Sequence, residues 1–537
     1  MDLGTLPDNV AELKEIITFY HKTVSAEIEE KNKQIGKIKA ENIILREQLL
    51  IARAWRFAHR SEKWTIEDQQ QAHLFDEAEI AAIIDDKPES VTIKTHKRRK
   101  KRSRDKLAPI GDEIVHELSP EEQVCEHCAG PLTEFARDKN EELEYIPAQC
   151  YRIIHHYPQY VCKNPACCRP VDLTTPEVKS ALRKKSLIPK SFLSAGLAAY
   201  LFISKFVDHL PFYRLERIFS RIGVSLSRAT MSLWTIVIGR KLRRVVVGMR
   251  NDLRAGVFAT ADETPMQVFN EKGRDNRLKS YMWLFTGERA GRPILIYQYH
   301  PSRGSPIPIK FLRKFTGILL TDGLAVYNKV TSVLKLLHAG CWAHVRRGFT
   351  DALKAGASKT ADEALALIQA MYRIESIIRN GSLSPDQILH LRQSQTKPII
   401  EKFFQLMKEA QTKILPRSET GKAIAYALGQ EKKLMIFLEF SHVPIDNNIT
   451  ENYIRPFVLG RKNWLFSGSP RGASASVTIY TITQTAIANG LDPYWYMRYL
   501  LERLPALSKY QDFISIAPHR IDPKLIKQYA ATHGGKV

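Results

Sequence analysis

Apolar residues near the start of the chain recur with alternating spacings of three and four. Val10, Leu13, Ile17, Tyr20 and Val24 set the pattern; after an extra four-residue step, Ile28, Lys31, Ile35, Ile38, Asn42, Leu45 and Leu49 resume it. This period predicts a zipper-like coiled-coil helix with a stutter within residues 1–60. Asn42 falls at an a position, where a buried amide pair favours a parallel dimer in fixed register, while Lys31 weakens the seam. The alternative is a single amphipathic helix packed on its own chain. The longest weakly polar run, Ser191 to Ser204, is 14 residues long, short of the roughly 20 that a membrane-spanning helix needs.

A second helical face follows, with Leu215, Ile218, Phe219 and Ile222 stopped by Gly223. Ser227 then caps a helix carrying Met231, Trp234 and Ile238. Helix, glycine turn and helix fit a helix-turn-helix within 185–250, with Ser227, Arg228 and Thr230 near the recognition position. Beyond it the period shortens. Residues 256–261 read as a strand ending in Asp262, 281–286 and 293–299 as two more, and 305–315 as a helix. The stretch 318–321 reads as a buried strand ending in Asp322. Residues 346–439 return to helical spacing, in ALALIQAMYRIESII and KPIIEKFFQLMKEA. This is an expected helical insertion in an α/β core formed by 251–345 and 440–490, with a C-terminal helical region at 491–537.

Composition permits several domains: 537 residues, 44% hydrophobic and 26% charged, leave room for three or four units of about 150. The 80 Lys and Arg exceed the 57 Asp and Glu by 23, which points to a polyanion, and nucleic acid is the default one. The excess is uneven. Residues 1–93 carry −6, 94–106 carry +8, 107–144 carry −9, and the rest carries +30. Lys97, Arg98, Arg99, Lys100, Lys101 and Arg102 therefore form a basic arm within a linker at 61–110. A solvated linker is its plainer reading. The chain does not open on a charged segment followed by an apolar stretch, so a cytoplasmic, nucleoid-associated protein with no membrane partner is expected.

Cysteines add a module at 111–175. Cys125-Glu-His-Cys128 and Cys162-Lys-Asn-Pro-Ala-Cys167-Cys168 form two short thiolate loops, the arrangement that tetrahedral structural Zn²⁺ requires. Cys125, Cys128 and Cys162 are the expected ligands, with Cys167 or Cys168 as the fourth; His127, His155 and His156 are lesser alternates. Cys341 and His344 form a separate CxxH pair, for which packing is the plainer explanation.

Three carboxylates stand out by their surroundings. Between Glu288 and Asp351 there are ten basic residues and one acid, Asp322, and between Glu439 and Asp492 the acids are Asp446 and Glu451 alone. Asp446 or Asn447 would cap a helix that sets Glu451 four residues before Arg455, where a surface ion pair is the plainer reading. Carboxylates at two strand ends and on one helix suit two divalent cations that prefer oxygen ligands. In GRKNWLFSGSPRG, Arg461, Lys462, Trp464, Phe466 and Arg471 alternate among glycines, fit either for holding a DNA end or for a packed hairpin.

The wording of these stretches resembles the transposases of the insertion-sequence-66 family. The resemblance runs through the zipper, the CxxC knuckle, DHLPFYRLERIFSRIGVSLSR, TADETPMQV, LLTDGLAVYN, CWAHVRRGF and NNITENYIRPFVLGRKNWLFSGSPRGA. It implies a ribonuclease-H-like mixed sheet with a DDE triad of Asp262, Asp322 and Glu451 holding Mg²⁺ (or Mn²⁺). It also implies action on double-stranded DNA at element ends and target, and two smaller accessory proteins of the same element as partners. Where the family often has a basic residue after the glutamate, this chain has Asn452. A non-catalytic DNA-binding regulator and a structure-selective nuclease are the competing expectations.

Overall fold

Ile318 and Leu320 face one hydrophobic core and Leu319, between them, faces another. This period-two alternation marks a sheet covered on both sides. The computed structural model describes residues 9–57, 150–161 and 178–534. The basic arm and the five cysteines assigned to zinc lie outside the described residues.

The first helix, α1 (Val10–Phe57), runs for 48 residues. Among the described residues its seam positions are exposed, Ile17 by 63% and Ile28 by 55%. Glu47 Oε2 accepts a hydrogen bond from Glu419 N at 3.1 Å, so the far end of the helix touches the body of the protein. Two short strands, β1 (Gln159–Val161) and β2 (Val178–Ser180), pair antiparallel.

The body begins with α2 (Ala195–Phe206), α3 (Phe212–Arg221) and α4 (Arg228–Arg254). Gly223, at φ +76°, makes the turn between α3 and α4. Ser227 caps α4 by accepting from Thr230 N at 3.2 Å. The second helix of the expected helix-turn-helix is thus 27 residues long and buries a stripe from Met231 to Leu253. It is a core helix of the main body, with its first turn at the surface.

Strands β3 (Phe258–Val268), β4 (Lys279–Arg289) and β5 (Arg292–His300) form an antiparallel meander. Ala290 and Gly291, both at positive φ, close the two-residue hairpin between β4 and β5, as a type I′ turn requires. Then come α5 (Pro306–Leu312), β6 (Ile318–Leu320), α6 (Ala325–Leu334) and β7 (Leu337–Ala339). β6 lies parallel to β3 and β7 parallel to β6, giving a mixed sheet in the order β5-β4-β3-β6-β7.

Helices fill the next hundred residues: α7 (Trp342–Ala355), α8 (Lys359–Asn380), α9 (Pro385–Leu391), α10 (Lys397–Gln411), α11 (Glu419–Gly429) and α12 (Glu431–Leu434). Apart from α9, which buries none of its residues, their apolar faces share a core with Ile318 and Leu320, so the insertion packs on the sheet itself. Arg392 is 2% exposed; it pairs with Glu375 at 2.7 Å and donates to the carbonyls of Phe437, Phe440 and Val443. Those three carbonyls belong to the segment that returns the chain to the sheet. The chain then enters α13 (Asn448–Trp464), β8 (Phe466–Ser467), which pairs with the far end of β3, and α14 (Pro470–Ala488). Helices α15 (Pro493–Arg503), α16 (Tyr510–Ser515) and α17 (Pro523–Gly534) complete the body. Among the described residues no helix is long and apolar enough to cross a membrane.

Candidate active site

Strand register brings the two aspartates together. The last paired residues of β3 and β6 are Thr260 and Leu320, so Asp262 and Asp322 each follow two residues later at one end of adjacent parallel strands. β3 does not stop at Asp262 as its sequence suggests. It continues to Val268 because β4 still pairs with it, with Asp262 opposite Leu284. Asp262 Oδ1 accepts from Glu263 N at 2.8 Å, and Asp322 Oδ1 from Leu324 N at 3.1 Å. Burial first, then the charges of Glu263, Glu451 and Asp322, push the Asp262 carboxyl well above the usual carboxylate range.

The third carboxylate arrives on α13. Glu451 lies in its first turn and is 8% exposed. The helix start is held against β3 by a buried hydroxyl relay, in which Thr450 bonds to Thr260, and Thr260 bonds to Thr286 of β4 at 2.5 Å. Asn447 adds a contact to the Ala261 carbonyl at 3.4 Å. Asn447 occupies the N-cap position without a side-chain cap bond, and Asp446, one residue earlier, accepts from Asn448 N at 3.0 Å through Oδ1 and from the Tyr372 hydroxyl at 2.6 Å through Oδ2. Glu451 is not a surface partner of Arg455. Its Oε2 accepts from Arg347 at 3.0 Å, and His344 Nε2 stands 3.5 Å from Oε1. That 3.5 Å is ion-pair range without hydrogen-bond geometry, and Oε1 is buried with no hydrogen-bond partner.

Oxygen donors from two adjacent strands and a helix suit a hard divalent cation in kind. Among the described residues, however, no three His, Cys, Asp or Glu side chains are drawn close enough to hold a metal ion as they stand. The CxxH pair is divided: buried Cys341 Sγ accepts from Asn447 N at 3.2 Å, while His344 faces Glu451. Burial raises the Cys341 thiol and lowers the His344 imidazole.

Residues 190–475, more than half of the chain and including all three carboxylates, match the family model described as Transposase IS66 family. The chain belongs to the IS66 transposase family. Residues 122–168 match the zinc-finger binding domain of transposase IS66, and 44–109 match a model described as Transposase C of IS166 homeodomain. Among its relatives are two proteins of Sinorhizobium fredii (strain NBRC 101917 / NGR234), each described as uncharacterized. Protein y4qI is 27% identical over 98% of this chain and 99% of its own length; y4jD is 28% identical over 72% and 76%.

Around the carboxylates, this IS66-family chain places residues that charge counting alone does not single out. Glu263, with a side chain 2% exposed, accepts from Arg303 at 2.6 Å and from the Tyr327 hydroxyl at 2.6 Å. It thereby ties β3 to the helix that follows Asp322. Its position beside Asp262 in TADETPMQV was the available signal; Arg303, Tyr327 and Arg347 had none beyond belonging to basic or apolar runs. Of the residues assigned to DNA, Ser227 is committed to capping α4, and exposed Arg228 is fixed through its backbone N–H to Glu216 at 3.0 Å. Arg455 and Arg461 are half-buried, and Arg461 donates to Thr264 at 3.2 Å on the strand that carries Asp262. Lys462 and Arg471 are exposed. Phe466 stacks on Phe269 at 4.2 Å between ring centroids, so that aromatic packs within the chain, but the stretch forms no hairpin: a helix ends at Trp464, β8 lies parallel to β3 and a new helix starts at Pro470.

Proposed function

We propose that this IS66-family transposase cleaves phosphodiester bonds at the ends of its insertion element and joins the resulting 3′-hydroxyl ends to target DNA. The observation that supports the reading is strand register, which sets Asp262 and Asp322 two residues beyond the last paired residues of β3 and β6, with the helix of Glu451 tied to β3 by the Thr450–Thr260 contact. The sheet order supports a ribonuclease-H-like core, with three antiparallel strands followed by two parallel to the first.

Asp262, Asp322 and Glu451 would hold Mg²⁺ (or Mn²⁺), which when bound supplies charge neutralisation at the phosphate and a Lewis acid for the attacking oxygen. The chain's own part is to keep three carboxylates on a rigid sheet end and to surround them with cations for the DNA backbone. Water attack breaks one P–O bond and forms another, releasing a 3′-hydroxyl. Attack by that hydroxyl on target DNA again exchanges one P–O bond for another, so no further energy source is needed. Arg228, Arg455, Arg461, Lys462 and Arg471, with the arm Lys97 to Arg102, would contact double-stranded DNA. Ser227 would act there through the helix end that it caps.

Cys125, Cys128, Cys162 and Cys167 (Cys168 as alternative) would hold structural Zn²⁺. The exposed α1 seam would pair two copies and so bring two element ends together, with the smaller proteins of the element as further partners. The domain limits read from the sequence stand as part of this proposal, with α4 transferred from the helix-turn-helix to the core.

A mobilisation assay tests the reading, using a marked plasmid bearing the DNA that flanks the gene, with accessory proteins supplied. Wild type should insert, while Asp262→Asn, Asp322→Asn and Glu451→Gln should each abolish insertion yet still bind the ends. Insertion that survives these changes sinks the triad. End binding with no cutting by wild type favours the regulator, and cutting without joining favours the nuclease.

A further inference from the structure

Glu451 is held near β3 by its backbone, while the partners of its carboxylate, Arg347 and His344, both come from α7. The backbone has little freedom, since Thr450 is fully buried and bonded to Thr260, and Asn447 is tied to both Ala261 and Cys341. What can move is the carboxylate. Its side chain is 10% exposed, so it cannot turn to water, and a buried carboxylate left without a counter-charge is strongly disfavoured. Arg347 supplies that charge from α7, the first helix of the insertion, through the 3.0 Å bond to Oε2. The Arg347 side chain is 44% exposed, so it can give up this bond and remain hydrated. The other oxygen, Oε1, has no hydrogen-bond partner, and His344 stands beside it.

We propose that Arg347 is a positioning residue that parks Glu451 against α7, and that a divalent cation completes its site by taking Glu451 from Arg347. The inference rests on the catalytic reading above and adds a reason for the separation of the three carboxylates. A site whose competent arrangement is a minor one binds its ligand more weakly by that fraction. Removing the parking bond should therefore tighten cation binding, which is the opposite of what loss of a supporting residue would do.

The test is Mn²⁺ binding to the full-length, zinc-loaded chain without DNA, followed by the electron paramagnetic resonance signal of free Mn²⁺. Arg347→Gln should bind Mn²⁺ about tenfold more tightly than wild type, the weight of one charge-assisted hydrogen bond. Arg347→Lys, which keeps the charge but loses the planar fork, should fall between the two. In a Glu451→Gln background, Arg347→Gln should have no effect. A gain that persists there is a general field effect and overturns the proposal. So does unchanged or weaker binding in Arg347→Gln, provided its thermal unfolding matches wild type; if it does not, Arg347→Lys decides by the same criterion. Mn²⁺ binding that ignores Asp262→Asn removes the cation site and both readings together. Binding that needs Asp262 but ignores Arg347 removes only the parking bond.

Discussion

Asp252, near the end of α4, is 4% exposed and surrounded by donors: Arg289 from β4, His519 at 2.8 Å and Arg520 through two bonds of 2.8 Å. Burial opposes its ionisation, but the bonds from His519 and Arg520 and their charges hold its carboxyl below the usual range. Burial also lowers the His519 imidazole. The lowered Asp252 carboxyl stabilises the fold at neutral pH, while the lowered His519 imidazole costs stability only where the unfolded chain is protonated. As pH falls below about 6.5, the unfolded chain protonates His519 first and stability declines; below about 3.9 the Asp252 contribution is lost as well. Asp252→Asn should cost about 2–3 kcal/mol at pH 7, because it leaves partly buried cations unpaired. In urea unfolding across pH, the gap between variant and wild type should close towards pH 3; a gap that is constant with pH would show that the charge is irrelevant. The sequence marks Asp262, Asp322 and Glu451 by their acid-poor surroundings, a property of composition along the chain. Asp252 and Arg347 carry no such mark, because what distinguishes them is a partner 267 or 104 positions away.

The elements were legible where one period governs and obscure where two must match. β5 is an edge strand whose outward backbone groups α14 satisfies. Thr481 accepts from Tyr297 N at 3.0 Å, Thr485 exchanges bonds with Leu295 N and O at 3.1 and 3.0 Å, and Asn489 donates to the Pro293 carbonyl at 2.8 Å. Four helical residues rise about 6 Å and two strand residues about 6.6 Å, so polar groups every fourth position meet backbone groups every second. In sequence these threonines read only as polar positions in an apolar helix. Thr485→Val would keep the shape but leave both Leu295 groups unpaired, and should destabilise the fold by about 1–3 kcal/mol in denaturant unfolding. An unchanged midpoint would mean that water replaces the hydroxyl. The length of α4 was equally hidden. Gly239 and Gly248 look like breaks, yet a Cβ at Gly239 would sit 2.8 Å from Ala475 of α14, so that glycine allows close helix packing.

At the scale of the molecule, the helical insertion shares a core with the sheet, whereas the apolar positions of α1 stay exposed. With Val24 48%, Ile28 55% and Leu45 61% exposed, α1 presents an apolar seam that a second copy of the helix would cover. The full chain should therefore elute as a dimer in light-scattering chromatography. Replacing Val24, Ile28 and Leu45 with Asn should give a folded monomer; a dimer that survives would place the contact elsewhere. The order in which the carboxylates occur along the chain has a consequence for inheritance. Asp262 and Asp322 leave the ribosome long before Glu451, and α14, which closes the edge of β5, comes later still. A gene copy with a stop codon upstream of Ser469 makes a chain whose sheet edge stays open and whose apolar faces have nothing to cover them. Even where such a chain keeps Asp262, Asp322 and Glu451, its outer strand β5 lacks the bonds from Thr481, Thr485 and Asn489 that complete it.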